Sequence, residues 1–345
     1  MTETYETGAA APKRRGRKAV VIILSSLVVL VVGGLVAALM YLNSLGNTFD
    51  ESVQTFPEDD TFPEESERPE RDEDDESLNI LLLGADSGGD GSGETEDLPQ
   101  VPNSGRSDTI MLLHVPEDRD SVQVMSIMRD LWVEIPGHGE HKINAALSLG
   151  GIGLTVHTIE SMFDSRIDHV AAVDLEGFEG LVDAMDGVTV DSPEAFTARE
   201  GTDFAAGPQQ MDGGTALTFV RERQAFTDGD YTRVRNQQAF VNGVLSEMLS
   251  PSNLTSPGRV QDMVEEFSPF ITVDDTLDSS TLGSMAWSMR DVRGSNIDMF
   301  TLPTGGLGRS SDGQSIVLRD DAAIAEIGSA LQEDTLEDYL QSADL

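Results

Sequence analysis

The chain of 345 residues contains no cysteine and very little lysine. Without cysteine it has neither a disulfide framework nor thiol chemistry. Its five histidines are scattered, and the absence of HExxH and CxxC spacings argues against a zinc site. Lys142 is the only lysine after Lys18. Positive charge is therefore scarce over most of the chain, and the positions of the remaining cations are informative.

Charged residues are missing from residues 19–42, directly after a basic run at residues 13–18. As a helix this segment would rise about 36 Å, enough to cross the roughly 30 Å hydrocarbon layer of a bilayer. It is apolar on every face and longer than the core of a cleaved signal peptide, so we expect one transmembrane helix. The basic residues before it predict a cytoplasmic tail at residues 1–18, with the rest of the chain outside.

Acidic residues dominate the chain beyond that segment. After residue 42 there are 17 Lys and Arg residues against 60 Asp and Glu residues, a formal net charge of −43. Such a surface repels nucleic acid, so no nucleic-acid partner is expected. Residues 43–77 hold fourteen acidic residues and three prolines, a composition that predicts a disordered acidic stalk. A specific acidic binding tail is the alternative for this segment.

Strand and helix patterns alternate from residue 78 onwards. Predicted strands cover residues 78–85, 108–115, 121–128, 168–174, 188–190, 271–274, 297–302 and 315–318. Predicted helices cover residues 144–163, 176–185, 212–223, 230–250, 278–290 and 320–332. This alternation predicts one α/β domain over residues 78–345, with its core at 78–332 and helices on both faces of a central sheet. Residues 87–107 are rich in Gly, Ser and Glu, which predicts a surface loop.

Four arginines fall within fifteen residues of this cation-poor chain: Arg221, Arg223, Arg233 and Arg235. Arg221 and Arg223 flank Glu222 near the end of a predicted helix, so both can face one ligand only if the helix ends or bends there. Arg233 and Gln237 are four residues apart and share a helix face. Because guanidinium groups suit bidentate contact with phosphate oxygens, the cluster predicts a phosphate site. Pairing with surrounding carboxylates is the alternative.

Carboxylates also stand at the ends of predicted strands. Asp86 follows the first strand and Asp108 opens the second, with Arg106 two residues before it. Arg129 and Asp130 close the third strand. Ligands of open α/β sheets gather at such ends, and Mg²⁺ is usually held by one or two carboxylates plus substrate phosphates. Helix capping explains most aspartates in such positions, so each one is a weak signal by itself.

Seven sequence blocks in this order resemble the LytR-CpsA-Psr family of cell-wall glycopolymer transferases. They are LNILLLGAD (78–86), RSDTIMLLHV (106–115), VMSIMRDLWVEIPG (124–137), HKINAALSLGG (141–151), DHVAAVDLEGFEGLVDAMDGVTV (168–190), MDGGTALTFVRER (211–223) and DGDYTRVRNQQAFV (228–241). The resemblance covers about residues 78–330. It implies a three-layer α/β/α sandwich around a central mixed sheet, preceded by one transmembrane helix. It also implies a single-pass protein of the bacterial cell membrane whose catalytic domain is extracytoplasmic.

The resemblance further implies a Mg²⁺-dependent phosphotransferase, with Mn²⁺ as an alternative metal. Its substrates would be a polyprenyl-pyrophosphate-linked glycan and a peptidoglycan acceptor. By motif position, Asp86 and Asp108 match the metal ligands, and Asp230 matches an aspartate beside the phosphates that is a candidate general base. The residues that match the pyrophosphate-binding set are Arg106, Arg129, Lys142, Arg221, Arg223, Arg233 and Gln237. Within these, Asp230, Arg129, Arg221 and Arg223 are the expected catalytic residues.

Two other functions stay open at this point. A non-catalytic envelope regulator that binds polyprenyl phosphates would share the arginines without needing two metal carboxylates. A polyprenyl-pyrophosphate glycan pyrophosphohydrolase would use the same site with water as the acceptor. The polyprenyl tail requires an apolar groove, for which core packing is the competing role of most candidates. These candidates are Leu147, Leu149, Ile152, Phe178, Leu181, Val182 and Met185.

Overall fold

The computed structural model describes residues 40–72, 75–85, 107–226, 231–248, 250–254, 256–292, 296–343 and 345. The chain divides into two compact units, residues 1–47 and residues 48–345. In the first unit, residues 40–47 are helical. Within these described ranges, no helix combines the length and the apolar character needed to cross a bilayer. The predicted span at residues 19–42 lies mostly outside the described residues, and it stays a prediction.

The second unit alternates strands and helices. In chain order its strands are β1 (Gln54–Thr55), β2 (Leu78–Ala85), β3 (Ser107–Val115), β4 (Val122–Ile127), β5 (Trp132–Ile135), β6 (Gly139–Lys142), β7 (His169–Asp174), β8 (Val188–Ser192), β9 (Phe196–Thr197), β10 (Asp203–Phe204), β11 (Gly207–Met211), β12 (Ile271–Val273), β13 (Ile297–Thr301), β14 (Thr304–Arg309) and β15 (Ser315–Arg319). Its helices are α1 (Glu58–Thr61), α2 (Ala145–Phe163), α3 (Leu175–Ala184), α4 (Gly213–Arg221), α5 (Tyr231–Met248), α6 (Pro251–Leu254), α7 (Pro257–Phe267), α8 (Ser279–Ser288), α9 (Asp321–Gln332) and α10 (Leu336–Ala343).

The central sheet is mixed, as predicted. Among the described residues it has seven strands, in the spatial order β1-β12-β7-β2-β3-β4-β13. β2 is parallel to β7 and antiparallel to β3, whereas β4 is antiparallel to β3 and parallel to β13. The carboxyl ends of β2, β4, β7 and β13 therefore meet the amino end of β3 at one edge. We call this the upper edge; it comprises Ala85, Ser107, Ile127, Asp174 and Thr301.

Helices cover both faces of this sheet. Met125 and Ile127 of β4 belong to the main core together with residues of α2. Ser126, between them, accepts a hydrogen bond from Gln238 of α5 at 3.0 Å. Because side chains alternate along a strand, α2 and α5 lie against opposite faces. The central strands are thus buried on both sides, which explains why their sequences are continuous apolar runs.

A second core packs α3, α4, α5 and α7 around the ribbon of β8 and β11. β8 pairs with β11 and not with the central sheet. Phe219 of α4 is fully buried, and its ring centroid lies 5.2 Å from that of Phe204. Since aromatic rings bury large apolar areas, this packing fixes the carboxyl-terminal part of α4.

Residues 48–72 do not form the predicted disordered stalk. β1 extends the central sheet by pairing in parallel with β12. Arg68 reaches the fully buried Glu160 of α2, with Nη2 2.6 Å from Oε1, and Arg71 pairs with Asp168. The prediction was wrong for this segment because it judged the acidic composition as a whole. A few specific pairings to the domain outweigh the cost of ordering the chain.

Candidate functional site

The first part of the candidate site lies where β2 ends and β3 begins. Ala85 pairs with Ser107, while Gly84 pairs with Thr109, so a β-bulge makes Asp108 the extra residue of β3. A Cβ at Gly84 would lie only 2.8 Å from the Cβ of Thr109, and this close approach requires glycine. Bulges bend a strand and re-aim side chains, and they are frequent beside active sites.

Several predicted site residues fall outside what the structure describes. These are Asp86, Arg106 and Asp230, together with the side chain of Asp108. Among the side chains that are described, no cluster of three or more His, Asp or Glu residues is arranged to hold a metal ion. The predicted metal ligands and the predicted general base therefore stay predictions.

The turn after β4 brings two predicted phosphate ligands together. The carbonyl of Arg129 accepts a hydrogen bond from the N–H of Asn144 at 3.2 Å, and the carbonyl of Asp130 accepts one from Val317 at 2.9 Å. Lys142 Nζ lies 3.1 Å from Asp130 Oδ1. These bonds hold the turn against β6 and β15. Arg129 and Lys142, which are distant in sequence, therefore lie on adjoining segments at the upper edge.

The helix α4 ends between Arg221 and Arg223, so the two arginines are not constrained to different faces of one helix. Arg221 is its last residue, and Glu222 is extended, with φ −65° and ψ 133°. The buried carboxylate of Glu222 accepts hydrogen bonds from the N–H groups of Arg223, Gln224 and Ala225 at 2.8, 2.5 and 3.0 Å. Glu222 thus turns inward and holds the following turn. Arg221 and Arg223 flank it, as alternate residues of an extended segment do.

Glu222 is a structural anion. Burial by itself would raise the pKa of its carboxyl group, but four backbone N–H groups outweigh that effect, and the pKa lies below its ordinary value. The fourth of these hydrogen bonds comes from the N–H of Arg199 at 2.7 Å. A carboxylate with a lowered pKa is a poor proton acceptor. Glu222 is therefore suited to shaping the site and unsuited to acid–base chemistry.

The other two arginines of the cluster, Arg233 and Arg235, lie on different faces of α5. Arg233 and Gln237 share one face and are both buried, with only 2% of Arg233 exposed. Arg235 is exposed and donates a hydrogen bond to Thr232 Oγ1 at 2.6 Å. Burying a guanidinium group is costly, so a buried arginine needs a specific reason. The face of Arg233 and Gln237 is the one that the sequence predicted for ligand binding.

The amino end of α5 lies at the upper edge. Tyr231 Oη is 2.8 Å from Thr304 Oγ1, just beyond the end of β13. Gln238 binds Ser126 at the end of β4, and Val234 belongs to the same core cluster as Met128. Val234 follows Arg233 and Met128 precedes Arg129. The structure therefore brings the start of α5 to the upper edge, where the turn that carries Arg129 also lies.

The apolar groove candidates are mainly core residues. Five of them are buried: Leu147, Ile152, Leu181, Val182 and Met185. Leu149 is 40% exposed, and the side chain of Phe178 lies outside what the structure describes. Leu149 immediately precedes a kink in α2, where Gly150 and Gly151 leave the helical region and Gly151 has φ 71°. Core packing accounts for most of this set, as the sequence indicated.

Comparison with known proteins agrees with this architecture. The model of the LytR_cpsA_psr family matches residues 40–333. The polyisoprenyl-teichoic acid–peptidoglycan teichoic acid transferase TagU of Bacillus cereus (strain AH820) is 34% identical over 235 residues, covering 68% of this chain and 72% of that protein. TagU of Oceanobacillus iheyensis is 32% identical over 262 residues, covering 74% of this chain and 75% of that protein.

Solved structures share the fold. The crystal structure of B. subtilis TagV superimposes with a TM-score of 0.61 at 23% identity, covering 76% of this chain and 97% of that chain. A LytR-Csp2A-Psr enzyme from Actinomyces oris superimposes with a TM-score of 0.58 at 20% identity, covering 77% of this chain and 96% of that chain. At these identities the likeness establishes the arrangement of the sheet and helices.

Proposed function

The chain belongs to the LytR-CpsA-Psr family, and on that premise we propose that it transfers a phospho-glycopolymer from a polyprenyl-pyrophosphate carrier to peptidoglycan. Relatives that match most of its length are named as transferases of teichoic acid to peptidoglycan. The observation that carries the proposal is the gathering of Arg129, Lys142 and Arg233 at one edge of a sheet in a cation-poor chain. Guanidinium and ammonium groups placed together in this way suit a pyrophosphate.

These residues would act mainly by positioning and charge stabilisation. Arg129, Arg221, Arg223 and Arg233 would bind the pyrophosphate oxygens and neutralise charge on the departing lipid phosphate. The buried Arg233 offers a guanidinium group held in place by its surroundings. Lys142 is held by Asp130, so its charge is also directed before substrate arrives. Preorganised groups of this kind need little rearrangement during the reaction.

The proposed reaction is a phosphoryl transfer. A hydroxyl oxygen of the peptidoglycan acceptor attacks the phosphorus atom that carries the glycan. The bond from that phosphorus to the bridging oxygen breaks, and polyprenyl phosphate leaves. The hydroxyl proton passes to a general base, for which Asp230 is the candidate by motif position.

Asp86 and Asp108 are the proposed metal ligands. In sequence they follow Ala85 and Ser107, and these two residues pair with each other, which supports Asp86 and Asp108 as holders of Mg²⁺ or Mn²⁺. Such an ion, when bound, would withdraw charge from the phosphate oxygens.

The proposal includes a membrane anchor. The uncharged run at residues 19–42 and the basic residues before it support a single-pass helix with its amino terminus in the cytoplasm. The domain would then lie outside the bacterial cell membrane, where peptidoglycan is assembled. A lipid-linked donor is consistent with this location.

A test of the site compares lysine substitutions at two kinds of arginine. Arg221→Lys and Arg233→Lys each keep the charge but lose the planar fork of donors. Affinity for a short-chain polyprenyl pyrophosphate, measured by calorimetry with Mg²⁺ present, should fall roughly tenfold to a hundredfold. Arg309→Lys is the control, since Arg309 is exposed on β14 and bonds only the carbonyl of Gly313 among described atoms.

Equal tolerance of lysine at all three positions would contradict the site and favour ordinary surface pairing. Product analysis separates the remaining functions. Transfer yields glycan linked to added peptidoglycan, hydrolysis releases free phospho-glycan with or without it, and a binding regulator yields neither.

A further inference from the structure

Arg199 differs from the other cations of this chain. Most of them have a clear structural partner: Arg68 pairs with Glu160, Arg166 with Glu65 and Arg259 with Asp186. Among the Lys and Arg side chains that the structure describes, that of Arg199 is the one with neither a hydrogen bond nor an ion pair. Arg199 is exposed, so its guanidinium group is open to a ligand that approaches from solvent.

Arg199 lines a cleft that also contains a predicted pyrophosphate ligand. The cleft has a volume of about 370 Å³, within the range of small-molecule sites. Its lining residues are Arg199, Glu200, Leu217, Thr218, Arg221 and Glu222. The backbone of Arg199 is fixed by its hydrogen bond to Glu222, the residue that also holds the turn after Arg221. Arg199 and Arg221 are therefore positioned by one buried carboxylate.

The chemistry of the lining suits a sugar better than a second phosphate. Thr218 Oγ1 donates to Glu200 Oε1 at 2.7 Å, so a carboxylate and a hydroxyl line the same cleft as Arg199. Glu200 is exposed and would repel a phosphate dianion. Sugar hydroxyls, in contrast, can donate to Glu200 and to Thr218 Oγ1 and can accept from Arg199. Leu217, one helical turn from Arg221, adds apolar surface against which a sugar ring can pack.

We propose that this cleft binds the first sugars of the carried glycan, next to the pyrophosphate, and that Arg199 is a glycan-binding residue. The inference rests on the proposed function, because Arg221 must hold the pyrophosphate for the adjoining cleft to receive the glycan. Since Arg221 lines the cleft, the glycan end of the substrate extends towards Arg199 and the lipid end extends away from it. Arg199 then helps to select the glycan that the lipid donor carries, and it takes no part in binding the lipid.

The test uses the full chain in detergent and two probes. One probe is a short-chain polyprenyl pyrophosphate without sugar, and the other is the same lipid carrying a disaccharide. Arg199→Gln should weaken calorimetric binding of the disaccharide probe about fivefold to tenfold, the effect of one lost hydrogen bond of ordinary strength at an exposed position. Binding of the sugar-free probe should stay within about twofold. Thr218→Val, which removes the hydroxyl at constant shape, should show the same selectivity.

Two controls make the result specific. Arg309→Gln changes the net charge by the same amount at an exposed position and should leave binding of both probes unchanged. Arg221→Lys should weaken both probes. Thermal unfolding of Arg199→Gln should match that of the unaltered protein, because the side chain has no partner among the described residues.

Three outcomes would count against the inference or its premise. If Arg199→Gln weakens both probes equally, Arg199 is a pyrophosphate ligand or a long-range charge, and the glycan cleft is wrong. If it weakens neither, the cleft is empty during catalysis and the inference also fails. If the unaltered protein binds neither probe, the proposed function itself fails, which is distinguishable from both of the other results.

Discussion

At the scale of single residues, His114 is a buried polar group with a specific partner at each ring nitrogen. Its Nδ1 lies 2.9 Å from Asn79 Oδ1 and its Nε2 lies 2.9 Å from Asp334 Oδ1. Asn79 Nδ2 donates to the carbonyl of Arg166 at 3.0 Å, which fixes the amide so that its oxygen faces the ring. Both ring nitrogens therefore face acceptors. These two contacts tie the buried ring to β2 on one side and to Asp334 on the other.

This pair predicts a pH-dependent contribution to stability. Burial by itself would raise the pKa of Asp334, but hydrogen bonds from His114 and from the N–H of Glu117 outweigh it, and the pKa lies below its ordinary value. A lowered pKa stabilises the fold above about pH 4, and this contribution is lost as the pH falls through the folded-state pKa. Asp334→Asn should lower the free energy of unfolding by about 1–3 kcal/mol at pH 7, measured by urea unfolding. The difference should shrink at pH 3.

Asp186→Asn is the matched control. Asp334 and Asp186 both have positive φ, 53° and 63°, a conformation that asparagine adopts readily. Asp186 pairs with Arg259 at an exposed position, where an ion pair contributes about 0–1 kcal/mol. Equal losses in the two variants, or a loss at Asp334 that persists unchanged at pH 3, would contradict a stabilising role for the ionised Asp334 carboxylate.

At the scale of elements, the kink in α2 predicts that glycine-to-alanine substitution destabilises the fold at Gly151 in α2 and stabilises it at Gly283 in α8. Gly151 has φ 71° and ψ −158°, a region that is essentially restricted to glycine. Gly151→Ala should therefore lower the free energy of unfolding by about 1–3 kcal/mol. Gly283 lies inside α8, and a Cβ there would meet no atom within 4 Å. Gly283→Ala should raise the free energy of unfolding by about 0.5–1 kcal/mol.

Urea unfolding of both glycine variants measures this contrast. Because the chemical change is the same, unfolded-state effects are similar and largely cancel in the comparison. A stabilising effect at both positions would show that α2 can continue as a regular helix through Gly151, and the kink would then be incidental.

Long periodic elements were predictable from sequence, whereas short ones were not. The strands at residues 78–85 and 108–115 and the helices at 212–223 and 230–250 are confirmed with small shifts of their ends. The hairpin of β5 and β6 was missed because four-residue strands are too short to show a period. The strand at 188–190 was predicted, but its partner β11 was not. Its polar sequence GPQQM carries no strand signal, and pairing with β8 alone makes it a strand.

The candidate site shows the same division. The arginine cluster was visible because cations are rare in this chain, and a shared ligand for Arg221 and Arg223 required α4 to end or bend between them. Two further features of the site could not be found in this way. Asp130 was visible as a carboxylate at a strand end, but its contact with Lys142 across the hairpin of β5 and β6 was not. The second is Arg199, which reaches the site through Glu222. Such contacts join segments far apart in sequence, so no local pattern encodes them.

At the scale of the whole molecule, the segment before the predicted domain is fastened to it by a buried ion pair. Glu160 is fully buried, and Arg68 Nε and Nη2 both donate to its carboxylate. Arg68→Gln would leave a buried carboxylate without its cation, which should lower the free energy of unfolding by about 3–5 kcal/mol. Urea unfolding at pH 7 measures the loss.

Arg166→Gln serves for comparison, since Arg166 pairs with the exposed carboxylate of Glu65 in the same segment. A pair of that kind contributes about 0–1 kcal/mol. If Arg68→Gln costs no more than Arg166→Gln, residues 48–72 would behave as the loose stalk that the composition suggested.

The pairing of β1 with β12 also sets the order in which this fold can be completed. Gln54 is among the first residues of the domain to be synthesised, yet its partner Thr272 follows more than two hundred residues later. Closing so long a loop is slow, because its entropy is lost before the contact forms. The earliest strand is thus among the last to join the sheet. Until residue 273 has been synthesised, β1 has no strand with which to pair, and the nascent chain must stay soluble with this edge of the sheet incomplete.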